Sequence, residues 1–298
     1  MTGIESGAAV RCEDVRFTYP DGTKALGGVD LQIPIGARVA IVGQNGSGKS
    51  TLVRHFNGLL RATAGVVEIH GRPIARRHVA DLAREVGLVF QNPDRQIFAG
   101  RADREVAFGP SNLGLHGSAL ERAVAEALDL VGLTDQAGVN PYDLGFSNRK
   151  LLALASIIAM RTPIVVLDEP TTGQDARGIA TVQAIVEQLA AEGRTVITIS
   201  HDMRFVADSF ERVIVMGTGR VIADGPPFEV FGEAGWPTLR STNLEPPVAA
   251  QVGARLGLGS TPTEASLVEA LVTRAGPLGV IPRHVVDERP IDGQGIVS

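Results

Sequence analysis

The chain has 298 residues, of which 44 % are hydrophobic, and carries 33 acidic against 28 basic side chains for a net charge of -5. That length supports one large core with a smaller appended unit, and the acidic balance argues against a general nucleic-acid surface. The single cysteine, Cys12, excludes an internal disulfide and leaves any zinc site to histidines and carboxylates.

No uninterrupted apolar run approaches the ~20 residues of a membrane helix, and the N-terminal MTGIESGAAVRCEDV lacks the basic flank and hydrophobic core of a signal peptide. The expectation is a soluble, cytoplasmic chain. Residues 10–42 alternate polar and apolar positions around turn signals at Pro20-Asp21-Gly22 and Gly27-Gly28. This pattern predicts short antiparallel strands. Val39-Ala40-Ile41-Val42 is fully apolar and suits a buried parallel strand, and Ser50-Thr51-Leu52-Val53 opens a helix.

Between that strand and that helix, residues 43–50 read GQNGSGKS, a complete GxxxxGK[ST] phosphate loop. Gly43, Gly46 and Gly48 let backbone N–H groups around Asn45 and Ser47 turn inward on phosphates, and the helix N-terminus adds a favourable dipole. Lys49 reaches the outer phosphates, the Ser50 hydroxyl can ligate Mg²⁺, and Thr51 follows in the first helical turn. The competing reading is a Gly/Ser turn that happens to hold a lysine. With only three lysines in the chain and ordinary glycine usage of ~7 %, chance is a weak explanation.

A second β segment follows around Val66-Val67-Glu68-Ile69, and Gln91 ends a short apolar stretch where it can contact Mg²⁺ or water. From about Pro93 to Met160 the pattern is helical, with Leu120, Val124, Ala127, Leu128 and Val131 on one face. It predicts a helical subdomain inserted into an α/β core. Ile164-Val165-Val166-Leu167 then delivers Asp168-Glu169-Pro170 to the C-terminal end of a buried strand, the edge where ligands of open α/β sheets collect. Asp168 would reach the Mg²⁺ shell, and Glu169 would orient or deprotonate the attacking water. Alone, that triplet would read as a turn ending a strand; beside a phosphate loop the catalytic reading prevails.

A helix with Ile179, Val182, Ile185, Val186 and Leu189 on one side leads to the strand Val196 to Ile199, and strand, helix, strand implies parallel pairing. His201 follows, placed to contact the terminal phosphate. After Val213–Met216 and Arg220–Ala223, the turn Asp224-Gly225-Pro226-Pro227 closes the core. Thr261-Pro262-Thr263-Glu264 predicts a helix start with Thr261 as N-cap and Glu264 completing a capping box. There is no internal repeat.

In this order the motifs resemble the ABC-transporter ATPases over residues 10–235. The resemblance implies Tyr19 as adenine platform, Gln91 as glutamine loop, Glu169 and His201 as catalytic groups, and Asp175 of Gly173-Gln174-Asp175 as the turn meeting a partner. It implies ATP and Mg²⁺ as cofactors and a phosphate-loop α/β core of ABC type. That core would carry an N-terminal antiparallel β subdomain, the helical subdomain at 93–160, and a helical C-terminal extension. Residues 1–238 would form the ATPase domain, and residues 239–298 an extension for dimerisation. Tyr19-Pro20-Asp21-Gly22, Phe90-Gln91-Asn92-Pro93-Asp94 with Gln96, and Glu105-Val106-Ala107-Phe108-Gly109-Pro110 look like the energy-coupling-factor branch, the ATPases of cobalt, nickel and vitamin importers.

One departure stands out. The family's LSGGQ aligns with Leu144-Gly145-Phe146-Ser147-Asn148, so the usual serine, both glycines and glutamine are replaced. In the family this segment contacts the triphosphate held by the other protomer. Phe146 lacks the bare backbone of glycine, whereas Ser147 near a helix start can still offer a hydroxyl and an N–H. The resemblance implies a second ATPase chain as partner, and the altered segment favours a heterodimer over a homodimer. It also implies a transmembrane scaffold subunit and a substrate-binding membrane subunit, with the chain peripheral on the inner face of the cell membrane and nucleic acid not among its partners. Residues Gln91 to Phe98 and the helical subdomain would receive the scaffold, although Asp94, Arg95 and Gln96 also fit a solvated turn. Two alternatives stand beside the importer subunit: a weakly hydrolysing nucleotide-binding regulatory subunit, and a soluble ABC ATPase without a transport role.

Overall fold

Alternating buried and exposed side chains make strand β1 (Ala8–Thr18), and the same alternation makes β2 (Lys24–Pro34), its antiparallel partner across a tight turn. In this computed structural model, which describes residues 7–275, both strands run 11 residues. They are longer than the turn signals predict, because Gly27-Gly28 does not end a strand. Val15 pairs with Val29 and Arg16 with Gly27, so Gly28 is the extra residue of a bulge inside β2.

The chain continues through β3 (Arg38–Val42), α1 (Lys49–Phe56), β4 (Ala64–Ile69), β5 (Arg72–Pro73), α2 (Val79–Leu82) and β6 (Val86–Val89). Three longer helices follow, α3 (Ala102–Asn112), α4 (Gly117–Leu130) and α5 (Phe146–Ile158). The core resumes with β7 (Ile164–Asp168), α6 (Ala176–Ala191), β8 (Thr195–Ile199), α7 (Met203–Ser209), β9 (Arg212–Gly217) and β10 (Arg220–Gly225). Short helices α8 (Pro227–Val230) and α9 (Trp236–Ser241) lead to α10 (Val248–Arg255) and α11 (Glu264–Ala275).

Two sheets result. One is antiparallel, in the order β2-β1-β4-β5; the other runs β10-β9-β3-β8-β7-β6, parallel except for the edge strand β10. Every residue of β6, β7 and β8 is buried, as expected of strands covered on both faces. Period-two alternation divides them between two cores. Val39, Ile41, Ile164 and Val166 face one that includes Val15 and Val29 of the antiparallel sheet and Phe56 of α1. Ala40, Val42, Val165 and Leu167 face the other, with Leu152 of α5, Val186 of α6 and Phe205 of α7.

The helical subdomain lies between β6 and β7 in sequence, as predicted. Its α4 face is turned slightly: Ala123, Ala127 and Leu128 are buried, while Leu120 and Val124 are half-buried. Beyond the edge strand, Leu239, Leu244 and Ala250 bury in the same cluster as Phe231, and residue 238 lies within α9. The predicted cap of the last helix is two residues out of place. The Thr263 hydroxyl accepts from Ser266 N–H and the Thr263 N–H donates to the Ser266 hydroxyl, both at 3.0 Å, so the reciprocal box is Thr263 with Ser266. Thr261 is spent elsewhere, donating to the Ala249 carbonyl at 2.9 Å, and Glu264 pairs with Arg204 at 3.1 Å. Among the described residues no helix is long and apolar enough to cross a membrane.

Candidate functional site

The phosphate loop connects β3 to α1 under tight steric constraint. A Cβ on Gly43, at φ +148°, would lie 2.2 Å from the Met216 carbonyl oxygen, and one on Gly48, at φ +99°, would lie 2.6 Å from that of Ala25. Neither position admits a side chain, which keeps the backbone bare where phosphates approach. Lys49 is 7 % exposed, and its ammonium donates to the carbonyls of Gly43 at 2.6 Å and Gln44 at 2.9 Å. Burial pushes its pKa down, against the opposing pull of Glu169 and Asp168. The Ser47 hydroxyl is buried and, among the described residues, without a hydrogen-bond partner. The first turn of α1 holds no acidic residue to offset its dipole.

β7 ends on Asp168 beside this loop. Its carboxylate accepts from the Ser50 hydroxyl at 3.5 Å and is 4 % exposed. Burial raises its pKa, Glu169 adds to the rise, and the Ser50 contact, Arg54 and Lys49 oppose it. Such a carboxylate, paired with a hydroxyl oxygen, suits a hard cation that keeps phosphate and water ligands. No cluster of three or more His, Cys, Asp or Glu forms a self-sufficient metal cage among the described residues. The donor set therefore fits Mg²⁺ carried in with a triphosphate.

Glu169 comes next, at φ +55°, with its N–H held by the Ile199 carbonyl at 2.8 Å. Its Oε2 lies 2.7 Å from His201 Nδ1 and 3.4 Å from the Thr172 hydroxyl. An ionised carboxylate only accepts, so Nδ1 carries the proton in that pair. Asn45, Lys49, Ser50, Gln91, Asp168 and Glu169 line one cavity of about 140 Å³, together with Gly46, Gly48 and Thr51. Tyr19 stands at its side: the ring packs edge-on to Phe17 at 4.8 Å and the phenol meets the Thr51 hydroxyl at 2.9 Å.

The altered segment at 145–148 lies elsewhere, at the start of α5. Gly145 is the N-cap, and no side chain caps the helix. The Ser147 hydroxyl donates to Gln174 Oε1 at 2.5 Å, Gln174 Nε2 returns a bond to the Ser147 carbonyl at 3.1 Å, and Asn148 bonds Gln136 at 3.2 Å. Phe146 lies over Gly173, where an added Cβ would come within 2.6 Å of its ring. Asp175 caps α6, accepting from Gly178 N–H at 2.8 Å.

Two residues carry more than their sequence signal. A turn does form at Pro93–Arg95 with Asp94 and Arg95 exposed, but Gln96 is tied inward, accepting from Phe90 N–H and donating to the Ala153 carbonyl and Ser156 hydroxyl of α5, while Asp94 pairs with Arg149 at 3.2 Å. Sequence reasoning passed over Lys150, which is buried against the Glu169 turn. Its only signal is a charge followed by the apolar run of α5.

Residues 26–172 match the family model for the ABC transporter. The energy-coupling factor transporter ATP-binding protein EcfA of Methanothermobacter thermautotrophicus is 39 % identical over 260 residues, covering 87 % of this chain and 83 % of the relative. The solved structure of cbiO1 from Clostridium perfringens, part of the ABC transporter complex cbiONQ, superposes with a TM-score of 0.71 at 33 % identity, over 84 % of this chain and 99 % of that one. The dimeric structure of MJ0796, a bacterial ABC transporter cassette, superposes at 0.68 with 27 % identity, over 73 % of this chain and 98 % of that one. At 39 % identity over 87 % of its length to one of these proteins, and with the fold of the others, the chain belongs to the ABC transporter ATPases, in the branch of the energy-coupling factor ATP-binding proteins.

Proposed function

We propose that the chain hydrolyses MgATP to drive an energy-coupling factor importer that takes up a vitamin, a vitamin precursor or a metal ion through separate membrane subunits. The observation that carries this reading is the meeting of the phosphate loop, Gln91, Asp168 and Glu169 around one cavity, with His201 on Glu169. The backbone of residues 43–50 and Lys49 would hold the phosphates, and Tyr19 the adenine. Ser50 and Asp168 would hold Mg²⁺, with Gln91 beside them; bound there, the ion offsets charge on the outer phosphates. Both side-chain donors to Glu169 reach Oε2, which leaves Oε1 to accept the proton of a water in line with the terminal phosphate. His201 keeps the carboxylate in one orientation.

A second ATPase chain would complete the site, because residues 145–148 lie away from this chain's own cavity. The dimeric cassette similar to this chain supports that pairing. Phe146 and the Ser147 hydroxyl, already bonded to Gln174, favour a heterodimer in which a partner brings its own segment to this ATP while the reciprocal site turns over slowly. In α11, Val268, Leu271 and Val272 are 58 %, 40 % and 64 % exposed at helical spacing, which supports a pairing role for the extension beyond residue 238. Residues 276–298 lie outside the described part. On the other side, Phe98 and Phe108 stack edge-on at 4.7 Å in an apolar groove of about 460 Å³ also lined by Ala83, Gln96, Ile157 and Met160. That groove suits a helix of the transmembrane scaffold, which supports a position for the chain on the inner face of the cell membrane, in the cytoplasm.

The test uses the full chain, tagged, with a fluorescent ATP analogue and detergent extraction of membranes. Wild type binds the analogue and co-purifies a second ATPase and membrane-spanning proteins; Lys49→Ala loses the analogue. Unchanged analogue affinity in Lys49→Ala, or purification without a membrane protein, overturns the reading.

A further inference from the structure

Lys150 lies on the second turn of α5, three residues after Ser147, and is 4 % exposed. Lysines are seldom buried, because losing water disfavours the charged form. Here burial brings the group down to about 8, with Glu169 and Asp168 pulling the other way. An ammonium has three donors and no acceptor, so the acceptors around it explain its position. Two are carbonyls of a single loop: Nζ donates to the carbonyl oxygen of Glu169 and, at 2.9 Å, to that of Thr172. The Phe146 ring centroid is 6.0 Å away.

The loop so held contains Glu169 at φ +55°, a left-handed backbone that an L residue rarely adopts and that persists only where its surroundings enforce it. Ile199 holds the Glu169 N–H from β8. Lys150 holds the carbonyl of the same residue, so the peptide groups before and after the Glu169 Cα are both tied.

We propose that Lys150 is a positioning residue for ATP hydrolysis: gripping the carbonyls of Glu169 and Thr172, it holds the left-handed turn that aims the Glu169 carboxylate and fastens that turn to the helix bearing residues 145–148. The assignment rests on Glu169 acting as the base proposed above. Three ties join the two segments, Lys150 to residues 169 and 172, Phe146 against Gly173, and Ser147 to Gln174. A displacement of α5 therefore carries the base with it. Lys150 does not line the nucleotide cavity, so its loss acts on turnover rather than on binding.

The test is made on the full chain in its complex with the partner ATPase and membrane subunits, purified from membranes. Lys150→Met, Lys150→Gln, Glu169→Gln and the double variant of Met at 150 with Gln at 169 are compared for kcat, KM and affinity for a fluorescent ATP analogue. Lys150→Met is expected to lower kcat about tenfold or more, with KM and analogue affinity within about twofold of wild type. Lys150→Gln, which keeps N–H donors, should recover part of the loss. On the Glu169→Gln background the methionine should cause no further loss, because a residue acting through Glu169 has nothing left to position.

Wild-type kcat in Lys150→Met, a parallel loss of analogue affinity, or an additive loss on the Glu169→Gln background overturns the proposal. If Lys150→Met does not fold, wild-type kcat in Lys150→Ala, which also lacks a donor, overturns it alone. Wild-type kcat in Glu169→Gln instead rejects Glu169 as the base, whereas an inactive Glu169→Gln beside a fully active Lys150→Met rejects only the role of Lys150.

Discussion

Gln96 joins the segment after β6 to the helical subdomain, and its removal should be felt in stability. The amide oxygen accepts from Phe90 N–H at 3.1 Å, and the amide nitrogen donates to the Ala153 carbonyl at 2.7 Å and the Ser156 hydroxyl at 3.0 Å. Gln96→Ala deletes all three partly buried bonds. At about 0.5–1.5 kcal/mol net for each, the loss is roughly 2–4 kcal/mol. With a urea dependence of about 2 kcal/mol per M, the middle of the usual range, the unfolding midpoint should fall by roughly 1–2 M. Gln96→Glu keeps an acceptor for Phe90 but loses both donors and sets a carboxylate against the Ala153 carbonyl, so it should be no more stable than the alanine variant. Circular dichroism in urea checks both. A midpoint equal to wild type at unchanged slope would show that these bonds do not hold α5 to the residues after β6.

Other consequences can be checked in solution. Burial raises the Cys12 thiol from 9.0 to about 12. Between those values the unfolded chain releases the thiol proton while the folded chain keeps it, so the contribution is intact below pH 9 and lost as pH rises, by roughly 1 kcal/mol per pH unit. The stability difference between wild type and Cys12→Ala should therefore drift against wild type from pH 9 to pH 10.5 in urea titrations; a constant difference refutes the shift. Tyr19→Ala should weaken binding of an ATP analogue by about 1 kcal/mol, or roughly fivefold, while Tyr19→Phe stays near wild type. Equal affinity for all three would move the adenine elsewhere. The purified chain alone should turn over ATP more slowly than the pair reconstituted with its partner ATPase, and equal rates would contradict the heterodimer.

The cavity beside the phosphate loop was legible because its constraints are local. Gly43 and Gly48 are required by carbonyls within van der Waals reach, and Asp168, Glu169 and His201 follow apolar runs that can only be buried strands. Period-two and helical patterns likewise disclosed the two sheets and the inserted helices. What escaped depends on contacts between distant segments. The bond of Lys150 to Glu169 and that of Ser147 to Gln174 join residues 19 and 27 positions apart, and nothing in either short stretch announces its partner. Thr261 and Thr263 offered the same capping chemistry. The choice fell to Thr263 because docking on Ala249 uses the Thr261 hydroxyl, a tertiary competition that local propensity does not register.

The central claim is that ATP held by residues 43–51 is cleaved with Glu169 as the base. A single-turnover measurement on the assembled complex, with radiolabelled ATP and excess enzyme, tests it most directly. Glu169→Gln should bind the nucleotide as wild type does and retain it uncleaved, with the chemical step slowed by about 10²-fold or more. Cleavage by Glu169→Gln at the wild-type rate would contradict the account.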